Sequence, residues 1–161
     1  MQGSVNMGIM ERYMNIRPAT RQDFGILYEI GQNTSEFRVS AREVFMDADE
    51  FAFGIEDPHS VFLVAEEDGK ITGFVYASEL DHDKPLQKQT ACLIYMTVLP
   101  EYRKQGVAQK LYTECEAILK KRGISGMYGW ANVESDGAIL QFMEKQGFSI
   151  GHKYVWVDKE L

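Results

Sequence analysis

Two basic residues and a glycine stand directly before an amphipathic stretch, in the run Arg103-Lys104-Gln105-Gly106-Val107-Ala108. Apolar residues then recur at helical spacing, so the run is predicted to open a helix. The first turn of a helix presents backbone N–H groups without an internal partner and the positive end of the helix dipole. Gly106 has no side chain, which lets a ligand approach that backbone closely. Together with the two cations, this pattern predicts a site for an anion, in particular a diphosphate.

Two elements must position this site. The apolar run from Leu93 to Leu99 is followed by Pro100, which predicts a strand that stops at a turn. We extend this central strand over Thr90–Leu99, and the helix that follows the turn is predicted over about Gln105–Arg122. A strand, a glycine-containing turn and a helix N-terminus are therefore expected to meet at one point.

The spacing Arg-x-x-Gly-x-Ala, after a strand that ends in Val-x-Pro, resembles the acyl-CoA-binding signature of the GNAT acetyltransferase superfamily. Two further blocks resemble that superfamily in the same order along the chain. Residues 15–23 are similar to its first strand and the turn into its first helix, and residues 135–148 are similar to its late helix and the strand after it. The resemblance covers about Met14 to the C-terminus and implies a GNAT-like fold that uses acetyl-CoA.

The resemblance implies cofactor contacts from three parts of the chain. The backbone N–H groups of residues 105–108 would bind the diphosphate, with the two neighbouring cations as charge support. The pantetheine arm and the acetyl carbonyl would lie along the end of the central strand, where one backbone N–H would serve as an oxyanion-type donor. The late helix would supply the remaining contacts. The resulting cofactor-binding set is Met96, Thr97, Val98, Arg103, Lys104, Gln105, Gly106, Val107, Ala108, Ser135, Phe142 and Lys145.

The acid and base residues of the superfamily pattern are replaced here. Phe142 stands where a Tyr commonly protonates the leaving thiolate, and Tyr95 stands where a Glu commonly lies near the substrate; Trp130 falls at an alternative base position. A thiolate of CoA needs little help in leaving at neutral pH. An alkylammonium must lose a proton, which a carboxylate acting through water can accept. Glu79 is our first candidate base, Asp81 and His82 come next, and Tyr95 is a second candidate catalytic residue.

The rest of the chain predicts a single domain. Residues 1–13 are predicted to be a flexible extension, and residues 14–161 a single acetyltransferase-like domain. We expect an α+β, three-layer α/β/α fold, with a mixed and mostly antiparallel sheet of six or seven strands and about four helices. The elements predicted outside the site are strand 14–17, a helix from Asp23 to Gly31, a helix around 41–49, the hairpin 60–66 and 70–78, strand 126–133, helix 136–146 and strand 148–157.

The distribution of charge is uneven. The net charge is −7, yet residues 23–83 carry 15 acidic and three basic residues, while residues 84–161 carry 11 basic and eight acidic residues. Either the acidic half is a solvated surface, or it attracts a cationic amine while the other half binds a polyanion. The chain has no basic stripe for nucleic acid, no apolar run long enough for a membrane, and no Cys/His spacing typical of zinc. We expect two buried free thiols, Cys92 and Cys115, and a cytoplasmic location.

The function that these patterns favour is an N-acetyltransferase that moves acetyl from acetyl-CoA to a primary amine by direct attack in a ternary complex. The acceptor is left open between a small amine or polyamine and a protein N-terminus. A narrow acidic pocket near Phe37, Tyr76 and Glu79 would favour a small amine, and an open groove beside the loop 80–88 would favour a peptide. The alternative is a non-catalytic acyl-CoA-binding or regulatory protein of the same fold. The last predicted strand, 148–157, could pair across a homodimer.

Overall fold

A single sheet, which has five strands in the part of the chain that the structure describes, lies at the centre of the fold. The computed structural model describes residues 13–79, 89–134 and 136–161. Their sheet has the order β1-β2-β3-β4-β5, in which β1 to β4 pair antiparallel and β5 lies parallel to β4. The strands are β1 (Met14–Pro18), β2 (Ser60–Glu67), β3 (Lys70–Ser78), β4 (Thr90–Val98) and β5 (Gly126–Gly129).

Within the described ranges four α-helices cover the sheet, as expected. They are α1 (Phe24–Asn33), α2 (Ala48–Glu56), α3 (Val107–Lys121) and α4 (Ala138–Lys145). The predicted α+β class and mixed, mostly antiparallel sheet are confirmed. The predicted count of six or seven strands is wrong, since the described residues form five.

Each face of the sheet carries its own hydrophobic core. Alternate residues of a strand point to opposite faces, and β2 shows both directions. Val61, Leu63 and Ala65 belong to the core under α3 and α4, whereas Phe62 and Val64 belong to the core under α1 and α2. The second core is largely aromatic, and its rings are Phe24, Tyr28, Phe37, Phe45, Phe51, Phe62, Phe74, Tyr76 and Tyr95.

The hairpin between β2 and β3 turns where the sequence predicts. Asp68 and Gly69 have φ angles of 50° and 76°, and Glu67 pairs with Lys70 on either side of them. Two central residues with positive φ give the type I′ turn whose twist matches that of the flanking strands. The two cysteines are free and buried as predicted, and burial raises the pKa of the Cys115 thiol to about 12.

The first two helices differ from the prediction. Helix α1 does not end at Gly31 but continues to Asn33. A Cβ at position 31 would lie 2.1 Å from the ring of Phe45, so the glycine allows close packing inside the helix. Helix α2 begins seven residues later than predicted, at Ala48. The Asp47 side chain accepts hydrogen bonds from the N–H groups of Asp49 and Glu50, so Asp47 is a helix cap and not part of an exposed helical face.

The last two predicted strands also require correction. β5 ends at Gly129 and does not reach residue 133, and residues 148–157 belong to no strand of the described sheet. A strand exists only where a neighbour supplies ladder hydrogen bonds, and β4 offers β5 a register only as far as Gly129. The predicted extension up to residue 12, the loop 80–88 with Asp81 and His82, and Ser135 lie outside the described residues.

An ionic cluster fixes β1 and β2 to the turn before α1. The Arg17 guanidinium donates to both carboxylate oxygens of Asp23, at 2.8 and 2.9 Å, and to Glu66 at 2.9 Å. Asp23 also accepts from the backbone N–H and the hydroxyl of Thr20. These donors stabilise the ionised carboxylate, and the hydrogen bonds from Arg17 contribute most to lowering the pKa of Asp23 to about 2.

We expect Asp23→Asn to lower the free energy of unfolding at pH 7 by about 2 kcal/mol, since it removes charge-assisted hydrogen bonds from a largely buried group. As the pH falls, Asp23 in the unfolded chain is protonated near pH 3.9, before Asp23 in the folded chain is. The stabilisation from Asp23 is therefore present above about pH 4 and is lost as the pH falls toward 2. Urea unfolding between pH 2 and 7 measures both effects. The exposed Asp49→Asn variant is the matched control, and an equal loss in both variants would contradict the assignment.

Candidate functional site

β4 has an open edge along its second half. Among the described residues, β4 and β5 share a register only from Thr90 and Gly126 to Leu93 and Gly129, and β4 continues to Val98. β4 has a β-bulge where it separates from β5. Consecutive residues of β3, Tyr76 and Ala77, pair with Tyr95 and Leu93 of β4, so Ile94 is an extra residue without a partner position on β3. A bulge bends its strand and increases the local twist. The result is an opening between the two strands, bounded on one side by the backbone of β4.

The backbone groups that face this opening follow from the hydrogen bonds at the end of β4. Successive residues of an extended strand direct their N–H and C=O groups to opposite edges. The N–H of Leu99 donates to Thr72 O at 2.8 Å, so Leu99 and Thr97 face β3. Val98 O accepts from Arg103 on the other side, so Val98 and Met96 face the opening. Of the three predicted strand residues, two therefore direct backbone groups into the opening, and Thr97 directs its backbone to β3.

The predicted anion cradle lies directly after this edge. Lys104 and Gly106 have positive φ angles, 58° and 82°, which turn the chain into α3. The N–H of Lys110 donates to Gly106 O, so the amides of Val107 and Ala108 precede the first internal bond of the helix. A Cβ at Gly106 would meet no protein atom within 4 Å. The glycine is thus required by its φ angle, and the space above it is open, which fits the close approach of a diphosphate.

Arg103 joins the strand end to the cradle. Its Nε donates to Val98 O at 2.9 Å, and Gln105 donates from its side-chain amide to Glu101 O at 3.0 Å. The first contact satisfies the last carbonyl on the open edge and fixes the guanidinium beside the helix N-terminus. The cation nearest to the open edge is therefore held in place by the edge itself.

A cavity of about 520 Å³ lies on the α1 face of the sheet, beside the end of β4. The end of α1 and the turn after it contribute most of its polar side chains. Glu29 and Glu36 supply carboxylates, and the Thr34 hydroxyl lies 3.5 Å from that of Thr97. Arg103 also lines this cavity, so the cavity and the cradle share one residue. The cavity can therefore accept a polar molecule of mixed hydrogen-bonding character with a positive charge near the carboxylates.

Tyr95 projects from β4 into the aromatic core. Its ring lies 4.5 Å from that of Phe37 and 4.8 Å from that of Phe45, measured between ring centres. It shares a face of β4 with Thr97, two residues further along, and Thr97 lines the cavity. Tyr95 thus lies close to the opening, with its ring held by two phenylalanines.

Glu79 is not brought to the cradle. Its carboxylate accepts from Arg122 at 3.0 Å and lies 3.8 Å from Nδ1 of His59. Val75 pairs with Met96, so Glu79 lies about 13 Å further along β3 than the register of Met96. The contact with Arg122 agrees with this placement. Arg122 directly follows α3, which has 15 residues and is about 22 Å long, and the cradle lies at the other end of that helix. Glu79 therefore belongs to an ion pair at the far end of α3, away from both the cradle and the end of β4.

Residues of the late helix lie on the opposite face from the cavity. The Phe142 ring packs against Tyr112 of α3 at 5.8 Å, and the Lys145 side chain is exposed on α4. Trp130 is 56% exposed just beyond β5. A narrow acidic pocket near Phe37, Tyr76 and Glu79 would favour a small amine over a peptide. Among the described residues, the rings of Phe37 and Tyr76 pack in the aromatic core and Glu79 lies just beyond the end of β3.

Sequence reasoning missed the bulge at Ile94 and the cavity residues at the end of α1. Neither has a distinctive spacing: Ser35–Phe37 form a single turn of 3-10 helix, and Thr34 is the residue that caps it. Polar residues at the end of a helix are ordinarily solvated. Only the position of this turn against β4 makes Thr34, Ser35 and Glu36 part of a site.

The described residues contain no cluster of three or more His, Cys, Asp or Glu side chains that could hold a metal ion. Within the same ranges, no helix combines the length and the apolar character that a membrane span requires.

A family model described as Acetyltransferase (GNAT) family matches residues 26–148 of the chain. The match begins in α1, includes β4, the cradle and α3, and ends just beyond α4. The comparison with curated protein sequences gave no match.

Solved structures share the fold at low sequence identity. A transcriptional regulator from Bacillus halodurans C-125 is 18% identical with a TM-score of 0.73, over 91% of this chain and 100% of that one. AAC(6')-Iy in complex with the bisubstrate analogue CoA-S-monomethyl-acetylneamine is 18% identical with a TM-score of 0.70, over 92% and 99%. PaiA N-acetyltransferase from Thermoplasma acidophilum in complex with coenzyme A is 18% identical with a TM-score of 0.67, over 88% and 93%.

The contacts of Glu79 and Arg122 predict a structural role for both. Arg122 also donates to Pro58 O and Ser60 O, each at 3.1 Å. We expect Glu79→Gln to cost about 0.5–1 kcal/mol of unfolding free energy, because it weakens one partly exposed ion pair. Arg122→Ala should cost about 2 kcal/mol, since it also leaves two carbonyls without this donor. Urea unfolding measures the loss, and acetyl-CoA binding to Glu79→Gln, measured by calorimetry, should match that of the wild type. Weakened cofactor binding in this variant would return Glu79 to the site.

Proposed function

Since the chain belongs to the GNAT acetyltransferase family, we propose that it is an N-acetyltransferase that transfers the acetyl group of acetyl-CoA to a primary amine, by direct attack in a ternary complex. The observation that carries this proposal is the open edge of β4 directly before the cradle at Gly106. The two features together offer an extended, polar groove that ends in an anion site. An acyl-CoA has the corresponding shape, an amide-containing arm attached to a diphosphate.

In this proposal the chain binds the cofactor mainly through its backbone. The amides of residues 105–108 receive the diphosphate, with Lys104 and the fixed guanidinium of Arg103 nearby. Met96 and Val98 offer N–H groups along the opening, where they can pair with the arm and donate to the thioester oxygen. Bound acetyl-CoA supplies the activated acyl group. Ser135 and Lys145 remain candidates for further contacts, and Phe142 for an apolar one.

The acceptor that we propose is a small cationic amine. The cavity beside β4 presents Glu29 and Glu36, and the acidic segment 23–83 supplies the wall that carries them, opposite the β4 wall with Arg103. Carboxylates at the mouth of a site raise the local concentration of a cation and its rate of association. Among the similar structures is an aminoglycoside N-acetyltransferase, AAC(6')-Iy, whose named acceptor class carries amines. A peptide N-terminus is the rival acceptor, and the loop 80–88 that would flank it lies outside the described residues.

The acceptor must lose a proton before it can attack. Tyr95 stands at the position where the superfamily pattern has a Glu. Glu79 lies about 13 Å along β3 from the register of Met96, where the thioester would bind. Glu36 is half-buried in the cavity wall and accepts a hydrogen bond from Ser35 at 3.1 Å. We propose Glu36 as the base, acting through water, with Tyr95 as a candidate to hold that water.

A second function remains open because of the residues at the acid and base positions. A cofactor site without Tyr or Glu at those positions suits a protein that binds acyl-CoA and regulates another process without turnover. Binding with no acetylation of any amine would favour this alternative. The two experiments below separate the two functions.

Binding of acetyl-CoA should depend on the open space at Gly106. We expect saturating acetyl-CoA, at about 100 times its dissociation constant, to stabilise the wild type by about 2.7 kcal/mol and to raise its melting temperature by several degrees. Gly106→Glu should abolish the rise, because a carboxylate would occupy the anion site. Thermal melts with and without acetyl-CoA measure the shift.

The matched control for this substitution is Gly123→Glu. Gly123 has the same φ of 82° and lies just after α3, at the opposite end of the helix from the cradle. Both variants therefore carry the same added charge and a similar conformational strain. We expect the control to keep its response to acetyl-CoA. No rise in the wild type would refute the cofactor site, and equal loss in both variants would attribute the effect to strain.

Turnover should depend on Glu36. A panel of polyamines, aminoglycosides and peptides, assayed by the release of free CoA thiol, identifies the acceptor. With the best acceptor at pH 7, we expect Glu36→Gln to lower kcat/KM by about 100-fold, the smaller effect expected for general base catalysis. The difference in kcat/KM between the wild type and Glu36→Gln should become smaller as the pH approaches the pKa of the amine, because more of the amine is then already deprotonated. Glu43→Gln, outside the cavity, should behave like the wild type.

The pH profile distinguishes two roles of Glu36. A deficit that stays constant with pH and affects only KM would mean that Glu36 binds the cation and is not the base. Unchanged kinetics would remove Glu36 from the site. A wild type that binds acetyl-CoA but acetylates no member of the panel would favour the regulatory function.

A further inference from the structure

The short helix α4 depends on other elements for its position. It has eight residues, of which Met143 is the buried one, and its N-cap is Gly137, whose lack of a side chain leaves no capping group there. An isolated helix shorter than about 12 residues is marginal in water. The contacts that α4 makes with its neighbours therefore decide where its side chains lie.

A reciprocal pair of side-chain amides joins α4 to α3. Gln109 Nε2 donates to Gln146 Oε1 at 3.0 Å, and Gln146 Nε2 donates to Gln109 Oε1 at 2.8 Å. Gln109 Nε2 also donates to the hydroxyl of Thr113 at 3.2 Å, which orients its amide along α3. The Phe142 ring, packed on Tyr112, is a second contact between the two helices.

The amide pair lies at the end of α3 that forms the cradle. Gln109 is the third residue of α3, directly after the cradle residue Ala108, and Gln146 directly follows the last residue of α4. The contact between Phe142 and Tyr112 lies about one turn further along α3. The pair thus connects the end of α4 to the helical turn whose amides would receive a diphosphate.

Among the described residues, no side chain caps the first turn of α3. Its N-cap is Gly106, and the amides of Val107 and Ala108 precede the first internal bond of the helix. The ends of helices fray, and a cap stabilises the first turn by accepting from its free amides. An anion bound to the same amides has the same effect. A diphosphate in the cradle would therefore stabilise the turn that carries Gln109.

We propose that the amide pair of Gln109 and Gln146 couples occupation of the cradle to the docking of α4 on α3. The proposal rests on the cofactor site described under the proposed function. The diphosphate fixes the first turn of α3, the fixed turn holds Gln109 in place, and the amide pair then holds α4. Because Phe142 and Lys145 lie on α4, binding one end of the cofactor positions the helix that offers these further contacts.

Gln109 and Gln146 are positioning residues in this proposal, since they act through α4 and not on the reacting atoms. Coupling between two equilibria is reciprocal. If a bound diphosphate favours the docked α4, then the docked α4 strengthens the binding of the cofactor by the same factor. Both directions can be measured.

Hydrogen exchange of backbone amides tests the first direction, because it reports the local opening of each helix. Inorganic pyrophosphate at saturating concentration is the probe, since it can fill the cradle but has no arm that extends along β4. In the wild type we expect pyrophosphate to slow exchange in peptides from residues 107–113 and 138–148. In Gln146→Leu it should slow only residues 107–113. Gln141→Leu, at an exposed glutamine of α4, is the matched control and should respond like the wild type.

A restoring variant separates the link from any general damage to α4. Gln109→Lys/Gln146→Glu places an ion pair where the amides meet, and it should restore the slower exchange of residues 138–148. Calorimetry with acetyl-CoA tests the reverse direction. We expect Gln146→Leu to bind acetyl-CoA about fivefold more weakly than the wild type, the scale of the net contribution of one hydrogen bond. Gln141→Leu should keep the affinity of the wild type.

The outcomes distinguish a failure of the coupling from a failure of the cofactor site. Slower exchange of residues 138–148 that persists in Gln146→Leu would overturn the coupling, and so would a double variant that does not restore it. Slower exchange confined to residues 107–113 in the wild type would also overturn the coupling while leaving the cradle intact. No change in either segment of the wild type, together with no binding of acetyl-CoA, would refute the cofactor site itself.

Discussion

The structure depends most on the separation of β4 from β5. Backbone N–H and C=O groups must be hydrogen-bonded when they are buried, so a central strand with a partner on only one edge is costly unless something covers the other edge. β4 pairs with β3 along its length, and the bulge at Ile94 turns its second half away from β5. The last carbonyl of that half, on Val98, accepts a hydrogen bond from Arg103. In the proposed function, the backbone groups of Met96 and Val98 along this half pair with an extended, amide-containing ligand.

Two arginine clusters fix the elements around this opening. Arg17 holds β1 and β2 to the turn before α1, and Arg122 holds the start of β2 and the end of β3 to the end of α3. Both clusters lie away from the open edge. The opening itself is bounded by backbone and by the turn at Gly106, which has room above it. Rigid elements with a polar gap between them provide the preorganisation that catalysis by proximity requires.

Agreement between local signals explains which elements could be predicted. The helix α3 has apolar periodicity, a glycine turn before it and basic residues in its last turn, and its predicted bounds are within two residues of those observed. The hairpin at Asp68 and Gly69 has a turn sequence that fixes its register. In contrast, the acidic residues near α2 predicted an exposed face, whereas Asp47 caps the helix. The strand-like residues 148–157 formed no strand, because strand propensity cannot supply the neighbour that a ladder needs.

The sequence alone determined the fold class, the order of the elements as far as α4, and the turn at residues 103–108 that opens α3, because each follows from short-range spacing along the chain. Tertiary structure decided which residues join the cradle. The distance of Glu79 from the cradle follows from the β3–β4 register, and the position of Glu36 at the cavity follows from the packing of the turn after α1 against β4. The opening itself depends on a one-residue bulge. Such contacts join residues tens of positions apart, and no local preference encodes the distance between them.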